Sequence, residues 1–173
     1  MIQQLIRYSL IALFLILLQV TVVNNIVLFK LLHPYLYLMV LAILPFQMPQ
    51  WGVLLSCFGI GLLMDLFSFT PGMHASACTA AGFARPFLLT LLRPLQGVGD
   101  ENAPHMQALG IGNFLLYILG FVLVHQLVLH MVEVFSFHEI GHTLLRVGIN
   151  TGASWILILV VEMLGFYQKT EES

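Results

Sequence analysis

The sequence contains one pattern that is typical of a catalytic metal site. His138-Glu139-Ile140-Gly141-His142 matches H-E-x-x-H, which on a helix places two imidazoles on one face to bind zinc, with the glutamate as general base. A catalytic zinc needs a third protein ligand, and only Glu162 and two acidic residues near the C-terminus follow the pattern. A membrane metalloprotease is therefore kept as the less favoured hypothesis.

The same segment is also consistent with an amphipathic helix. One face would carry the polar residues Glu139, His142 and Arg146, and the other the apolar residues Phe137, Ile140, Leu144 and Val147. A helix of this kind is expected to lie along the membrane surface.

Asp65 is the second feature with chemical potential, because it lies near the end of a long apolar run. An aspartate at the centre of a membrane helix costs about 2.5–3.5 kcal/mol on insertion scales, so it usually has a partner. Cys57, Gly61, Asp65 and Ser68 share one helical face, whose small residues allow another backbone to approach closely.

A turn at Thr70-Pro71-Gly72 predicts that the helix of Asp65 and the next helix form an antiparallel hairpin. The rise per residue places Asp65 and His74 within roughly 3–5 Å in depth, whereas Arg85 lies about 12 Å deeper. The predicted partners of Asp65 are the free N–H groups at the start of the following helix, with His74 second. We favour a structural role in holding the hairpin together; the alternative is a proton or ion site.

A third polar group consists of Gln126, His130 and Glu133, which fall on one stripe of a helix. Glu133 can meet His130 one turn away. Together with Glu162 of the last helix, these groups could carry protons, or they could hold helices together or line a groove for a partner helix. The second interpretation is favoured because nothing marks a continuous path.

The composition identifies the class of protein that must position these groups. The chain has 173 residues, of which 60% are hydrophobic and 8% charged, and its mean hydropathy is +0.97. Soluble domains are about a quarter charged, so we predict an integral membrane protein in a single domain, 1–173. No basic patch indicates nucleic acid, and no cofactor is expected. Cys57 and Cys78 lie in apolar runs and are interpreted as buried hydrophobes.

The hydrophobic pattern predicts an all-α bundle of about six transmembrane helices. The predicted helices are about Leu5–Val23, Tyr35–Phe46, Gly52–Phe69, Gly72–Leu92, Gly110–Phe135 and Val147–Phe166. The first is interpreted as an uncleaved helix. The second, bounded by Pro34 and Pro45, is short and could be tilted, re-entrant or buried. Pro86 should kink the fourth helix and free the carbonyl of Gly82.

The distribution of Lys and Arg predicts that both termini are cytoplasmic. Arg7, Arg93 and Lys169 then lie inside, Arg85 can snorkel in that direction, and Lys30 and Arg146 remain outside. The longest polar loop, Arg93–Gln107, is expected on the cytoplasmic side.

Several blocks of the chain resemble the rod shape-determining membrane protein family MreD. In chain order they are Leu17-Leu18-Gln19-Val20, Asn24-Asn25-Ile26, Pro34-Tyr35-Leu36-Tyr37, Leu44-Pro45, Gly61–Ser68, Thr70–Ala75 and Phe83-Ala84-Arg85-Pro86, with weaker agreement at Phe135-Ser136-Phe137 and Leu144-Leu145-Arg146. The resemblance covers most of the chain in order. The H-E-x-x-H segment departs from the family, which has no metal site there.

The resemblance implies a six-helix protein of the bacterial inner membrane without enzymatic activity, similar in fold to the substrate-binding subunits of energy-coupling-factor transporters. It implies partners in wall elongation: an MreC-like bitopic protein, an MreB-like actin homologue, and a RodA-type glycan polymerase with its transpeptidase, among membrane lipids. The candidate structural or interaction residues are Gly61, Asp65, Pro71, Gly72, His74, Arg85, Pro86, Gln126, His130 and Glu133. A transporter-like binder of small molecules is the alternative, and it would need a pocket lined by Trp51, Trp155, His130 or Glu133.

Overall fold

A computed structural model describes residues 14–21, 33–92, 103–134 and 140–171, with side chains as far as residue 164. These residues form helices and contain no strand. We number the helices α1 (residues 14–21), α2 (Leu38–Ala42), α3 (Gln50–Ser68), α4 (Met73–Leu92), α5 (Met106–Leu109), α6 (Ile111–Val134) and α7 (Ile140–Glu171). The remainder of the predicted first helix, and most of the predicted Arg93–Gln107 loop, lie outside the described residues.

Four of these helices are long and apolar enough to cross a membrane, namely α3, α4, α6 and the Ile140–Leu164 part of α7. Large apolar side chains cover their outer surfaces, and Leu55, Leu66 and Leu91 are at least 65% exposed. A soluble protein rarely exposes so continuous an apolar surface, whereas lipid requires one. The predicted all-α membrane class is confirmed at this level.

The predicted second span is not a continuous helix. Only the five residues of α2 are helical, and they are buried among α3, α4 and α6. The segment nevertheless spans the bundle. His33 lies near the C-terminal end of α3, and the chain reaches the N-terminal end of α3 at Gln50. The 19 residues of α3 correspond to a helix length of about 28 Å. Of the three predicted alternatives, burial among the other helices is the one observed.

Non-helical backbone at membrane depth must find hydrogen-bond partners inside the protein. Gln19 of α1 supplies two of them before α2. Its Nε2 donates to the carbonyl of Pro34 at 2.9 Å, and its Oε1 accepts from the N–H of Leu36 at 2.7 Å. One amide side chain thus replaces the backbone bonds that a helix would have made here.

Arg85 stabilises the other end of the same segment, and the prediction that it snorkels is wrong. Only 4% of Arg85 is exposed, and its guanidinium donates to the carbonyl of Leu44, beyond the end of α2. The hydroxyl of Tyr117 donates to the neighbouring carbonyl of Ala42 at 2.7 Å. Both carbonyls lie where α2 stops and lack helical partners. The arginine is held inward by the Leu44 carbonyl and by the negative end of the helix.

Pro86 lies within α4, as predicted, and the carbonyl that it frees has a partner. Nε2 of Gln50, at the start of α3, donates to the oxygen of Gly82 at 3.1 Å. Gly82 also packs against Cys57, because a Cβ added at Gly82 would lie 2.6 Å from the Cys57 sulfur. The proline therefore ties α4 to α3 at a second point, remote from the turn that joins them.

The last helix begins earlier than predicted. Residues 140–146 continue directly into the rest of α7, so from Ile140 onward there is no separate helix along the membrane surface. Leu144 and Leu145 are half exposed or more, as expected of a helix that faces lipid along its length. His142 and Arg146 suggest a polar face that lies along the membrane surface, but in the structure Arg146 pairs with Glu133 on α6.

Topology gives a direct test of the Lys and Arg distribution. We expect a cysteine at His142, an exposed position on α7, to react with an impermeant thiol reagent in intact cells, and one at Ser173 to react only after lysis. The native Cys57 and Cys78 are fully buried and are replaced by serine as background. Labelling of Ser173→Cys in intact cells would contradict cytoplasmic termini.

Candidate functional site

The turn between α3 and α4 is built around residues that favour its backbone angles. Pro71 and Gly72 occupy the central positions of a β-turn closed by a 3.2 Å bond from Met73 N–H to the Thr70 carbonyl. Gly72 has φ of 82°, the value that the third residue of a type II turn requires. Phe69, which ends α3, is left-handed at φ 56°, and its N–H and that of Thr70 both bond the carbonyl of Asp65.

The carboxylate of Asp65 joins the two helices. It accepts from the N–H of His74 at 2.8 Å, the N–H of Ala75 at 3.0 Å and the hydroxyl of Thr70 at 3.0 Å. The hairpin prediction of a bond to the free N–H groups of α4 is confirmed. The side chain thus acts as an N-cap supplied by a neighbouring helix, favoured by the helix dipole.

His74 contributes its backbone to Asp65, whereas its ring bonds a buried tyrosine. The hydroxyl of Tyr37 lies 3.0 Å from Nδ1 of His74 and 2.9 Å from Nε2 of His125 on α6. The sulfur of Cys78 lies 3.5 Å from the same oxygen. A phenol has one proton, so Tyr37 donates to no more than one of these groups, and at least one imidazole must donate an N–H to it. The tautomers of the two histidines are therefore coupled through one hydroxyl.

Neither Tyr37 nor His125 was predicted from the sequence. The polar stripe on α6 drew attention to Gln126 and His130, and His125 lies off that stripe. Tyr37 stood within a block that carried the family resemblance, which was its only signal. Sequence separations of 37 and 88 residues join Tyr37 to its two partners, so no local spacing could have revealed the cluster.

Removing the Tyr37 hydroxyl should destabilise the fold. Tyr37→Phe leaves one nitrogen of each histidine without its partner in the core, and we expect the free energy of unfolding to fall by about 2–3 kcal/mol. Tyr35→Phe is the matched control, because the Tyr35 hydroxyl has no hydrogen-bond partner among the described residues. Thermal unfolding of both variants in detergent measures the difference, and equal stabilities would contradict the role of Tyr37.

The predicted stripe on α6 packs against α7. Nδ1 of His130 donates to the carbonyl of Gln126 at 2.9 Å, which leaves Nε2 to accept from the Asn150 amide at 3.3 Å. Gln126 donates to Ser154 at 3.3 Å. Both Gln126 and His130 are buried, so the expectation that they present a surface to a partner protein needs correction.

Glu133 continues the stripe at the surface and pairs with α7 rather than with His130. Its Oε1 lies 3.4 Å from Nη1 of Arg146, and each side chain is about two-fifths exposed. Exposed pairs of this kind contribute little to stability. Gln126 and His130 are thus buried between α6 and α7, whereas Glu133, near the end of α6, forms an ion pair that is accessible from the surface.

Asn150 and Ser154 also bond the segment that precedes α2. Asn150 Oδ1 accepts from the N–H of His33 at 2.7 Å, and Ser154 Oγ accepts from the N–H of Tyr35 at 2.9 Å. The same two side chains therefore connect α7 both to α6 and to the non-helical segment. Neither was identified from the sequence, where they are small polar residues in an apolar run.

A cavity of about 400 Å³ lies where these elements meet, at the end of the bundle that contains the α3–α4 turn. Its lining combines aromatic, hydroxyl, imidazole and charged groups: His33, Tyr35, Phe67, Ser68, Thr70, Met73, His74, Leu129, His130, Glu133, Arg146 and Asn150. Three of the predicted site residues, His74, His130 and Glu133, are thereby brought together. Arg85, Pro86 and Gly61 are not part of this lining.

The H-E-x-x-H pattern is described only in part. His138 and Glu139 lie outside the described residues, and His142 is exposed on α7. Within the described ranges, no three His, Cys, Asp or Glu side chains are grouped as a metal site. Glu162, the one downstream acid in a span, lies 3.3 Å from His105 near α5.

Comparisons with known proteins add no family to this description. The chain matches no protein-family model, and neither curated proteins nor solved structures give a significant match.

Proposed function

We propose that the protein is a non-enzymatic scaffold of the bacterial cell-wall elongation machinery, in the manner that the resemblance to MreD implies. In this role it lies in the inner membrane and joins an MreC-like bitopic protein and an MreB-like actin homologue to a RodA-type polymerase and its transpeptidase. Its contribution is a set of surfaces and not a reaction.

The contacts between separate motif blocks are the observation that supports this proposal. Gln19 bonds Pro34, Tyr37 bonds His74, and Arg85 bonds Leu44. Each pair joins two blocks that carry the resemblance and that are distant in sequence. In each pair a polar side chain of one block bonds a side chain or a backbone carbonyl of another block. Hydrophobicity alone does not account for such contacts, so they favour a shared fold.

One surface available to a partner helix is the outer face of the α3–α4 hairpin. A shallow, mostly apolar groove runs between Leu54, Phe58 and Leu62 of α3 and Ser76, Thr79 and Phe83 of α4. Small residues on one side and large apolar residues on the other allow a second helix to pack closely, and close packing drives association in membranes. The hydroxyls of Ser76 and Thr79 donate to backbone carbonyls of α4, which leaves this face largely apolar.

Depletion of the protein in a rod-shaped host tests the proposal. Scaffold loss should give round, widening cells in which wall elongation fails before division. The MreC-like partner should still be made but should no longer co-purify with the synthase. Cells that keep their shape after depletion would contradict the scaffold function.

A substitution in the groove can distinguish an effect on partner binding from an effect on folding. Ser76→Leu should weaken co-purification with the MreC-like protein by about tenfold, because the larger side chain fills the groove that a partner helix would occupy. Thermal unfolding should be unchanged, because the groove lies on the outer surface of the bundle. Thr90→Leu is the matched control, since Thr90 is exposed on α4 outside the groove. Equal co-purification of the two variants would exclude this face as the contact surface.

A transporter-like binder is the second candidate, and the cavity favours it. Its lining includes His130 and Glu133, as that hypothesis required. Trp51 is 71% exposed and Trp155 donates its indole N–H to the carbonyl of Leu115, and neither lines the cavity. Loss of uptake of a nutrient after depletion, with normal cell shape, would favour this function over the scaffold.

A further inference from the structure

The cavity between the α3–α4 turn, α6 and α7 has the size of a ligand site. Its volume of about 400 Å³ falls in the range of known small-molecule pockets, roughly 300–1,000 Å³. Its walls are fixed by the bonds of Asp65, Asn150 and Ser154 described above. A cavity with such supported walls is largely formed before a ligand arrives.

Several polar groups that line the cavity are uncommitted. Tyr35 and Ser68 have hydroxyls without a hydrogen-bond partner among the described residues, and the same holds for the ring of His33. His74 uses Nδ1 for Tyr37, which leaves Nε2 as the nitrogen that the cavity can reach. Each of these groups can act as donor or acceptor.

The charge of the lining is balanced. Glu133 and Arg146 are its acidic and basic side chains, and they lie 3.4 Å apart. A net anionic or cationic ligand would find no excess of opposite charge. A neutral ligand needs no such excess, and its hydroxyl groups can bond the outer oxygens and N–H groups of the pair without separating it.

The geometry points to a neutral, hydroxyl-rich ligand, a saccharide, bound in this cavity by Tyr35, Ser68 and His74. Hydroxyls are both donors and acceptors, so they match the uncommitted groups of the lining. Tyr35 adds a ring with an apolar face and a polar tip, and the ring is held edge-on against His74 at 5.2 Å between centroids.

The saccharide can be free or carried by a lipid, and the cavity is accessible from the surface of the bundle. Phe67 lines it and is 49% exposed, so an apolar path borders the polar lining. The two sources share the chemistry of recognition and differ in whether an acyl chain adds to binding. Binding of either form is independent of the scaffold function, because the cavity is formed by this chain alone and does not require a partner protein.

Binding to the full-length protein in a detergent without a sugar headgroup tests the inference. The free probe is N-acetylglucosamine, followed by saturation-transfer NMR. The lipid probe is a galactosyl diacylglycerol, followed by native mass spectrometry against phosphatidylglycerol. Binding of both sugar probes identifies the headgroup as the ligand, and binding of the glycolipid alone identifies a lipid-borne saccharide.

Variants connect binding to the cavity. The pair Tyr35→Phe and Ser68→Ala removes two hydroxyls and should raise the Kd about tenfold, with unchanged thermal unfolding. Thr90→Ala, on the outer face of α4, is the matched control and should bind normally. If the double variant does not fold, Ser68→Ala alone is compared with Thr90→Ala.

Three results would overturn the inference. The first is that neither sugar probe binds at millimolar concentration. The second is that both probes bind equally to the wild type and to the cavity variants. The third is that L-alanine, a zwitterion, binds where the sugars do not and is lost in Arg146→Gln, which would assign the cavity to amino-acid recognition.

Discussion

Replacing Asp65 with leucine is expected to lower the free energy of unfolding by about 2–6 kcal/mol. The change leaves the buried N–H groups of His74 and Ala75 without their acceptor, and each unpaired buried donor costs about 1–3 kcal/mol. It also removes the acceptor of the Thr70 hydroxyl. Insertion of α3 into the membrane should not be impaired, because leucine makes this helix more apolar than aspartate does.

Insertion and folding can therefore be separated by experiment. The amount of Asp65→Leu protein extracted from membranes by strong denaturant should equal that of the wild type, whereas its thermal unfolding in mild detergent should occur at a much lower temperature. A variant as stable as the wild type would show that Asp65 does not hold the hairpin together.

Asp65→Asn is the informative companion. Its amide keeps one oxygen acceptor but places an NH₂ group opposite one of the donors, so we expect a loss of stability smaller than that of Asp65→Leu. If Asp65→Asn unfolds like the wild type yet abolishes function in cells, the charge has a role of its own. That outcome would favour the proton or ion site that the sequence left open.

The Asp65 contacts could be predicted because they are local. Nine and ten residues separate Asp65 from its two N–H partners, and a Pro-Gly turn lies between them. Helix rise alone then sets the depth of both groups. His74, the second predicted partner, bonds Asp65 through its backbone N–H, whereas its ring bonds Tyr37. The direction of a side chain within a bundle depends on which helices surround it, so the ring contact could not be predicted.

Arg85 shows why the other polar residues were harder to assign. A membrane arginine near a helix end usually snorkels, and the sequence offered no carboxylate within reach. Its actual acceptor is a backbone carbonyl, left free where α2 stops after five residues. Pro34 and Pro45 signalled that the second segment was irregular, but not which groups would satisfy its backbone.

The stripe on α6 marks an intermediate case. Helical periodicity correctly placed Gln126, His130 and Glu133 on one face, because that is a property of the helix alone. Their partners on α7, including Asn150 and Ser154, are set by how two helices pack, and small polar residues in an apolar run give little warning of this. The sequence therefore predicts which residues share a face of α6, whereas the helix that packs against this face is known only from the structure.

The close approach of α3 and α4 leads to the second large expected effect. A Cβ at Gly61 would lie 2.6 Å from both the Cα of Ala75 and the carbonyl oxygen of His74. These are backbone atoms of the helix start that Asp65 caps, so they cannot move without losing the Asp65 bonds. We expect Gly61→Ala to cost about 3 kcal/mol or more, at the upper end of what overpacking usually costs.

A series of glycines provides the controls. A Cβ at Gly59, on the same helix, meets nothing within 4 Å, so Gly59→Ala should be neutral or stabilising by up to about 1 kcal/mol through helix propensity. A Cβ at Gly82 meets the sulfur of Cys57, a side-chain atom that can rotate away, and Gly82→Ala should fall between the two. Thermal unfolding should therefore rank the variants Gly59, Gly82 and Gly61 in order of increasing damage. If Gly61→Ala proves as stable as Gly59→Ala, the two helices are not in backbone contact, and the support for Asp65 as an N-cap from the neighbouring helix would be lost with it.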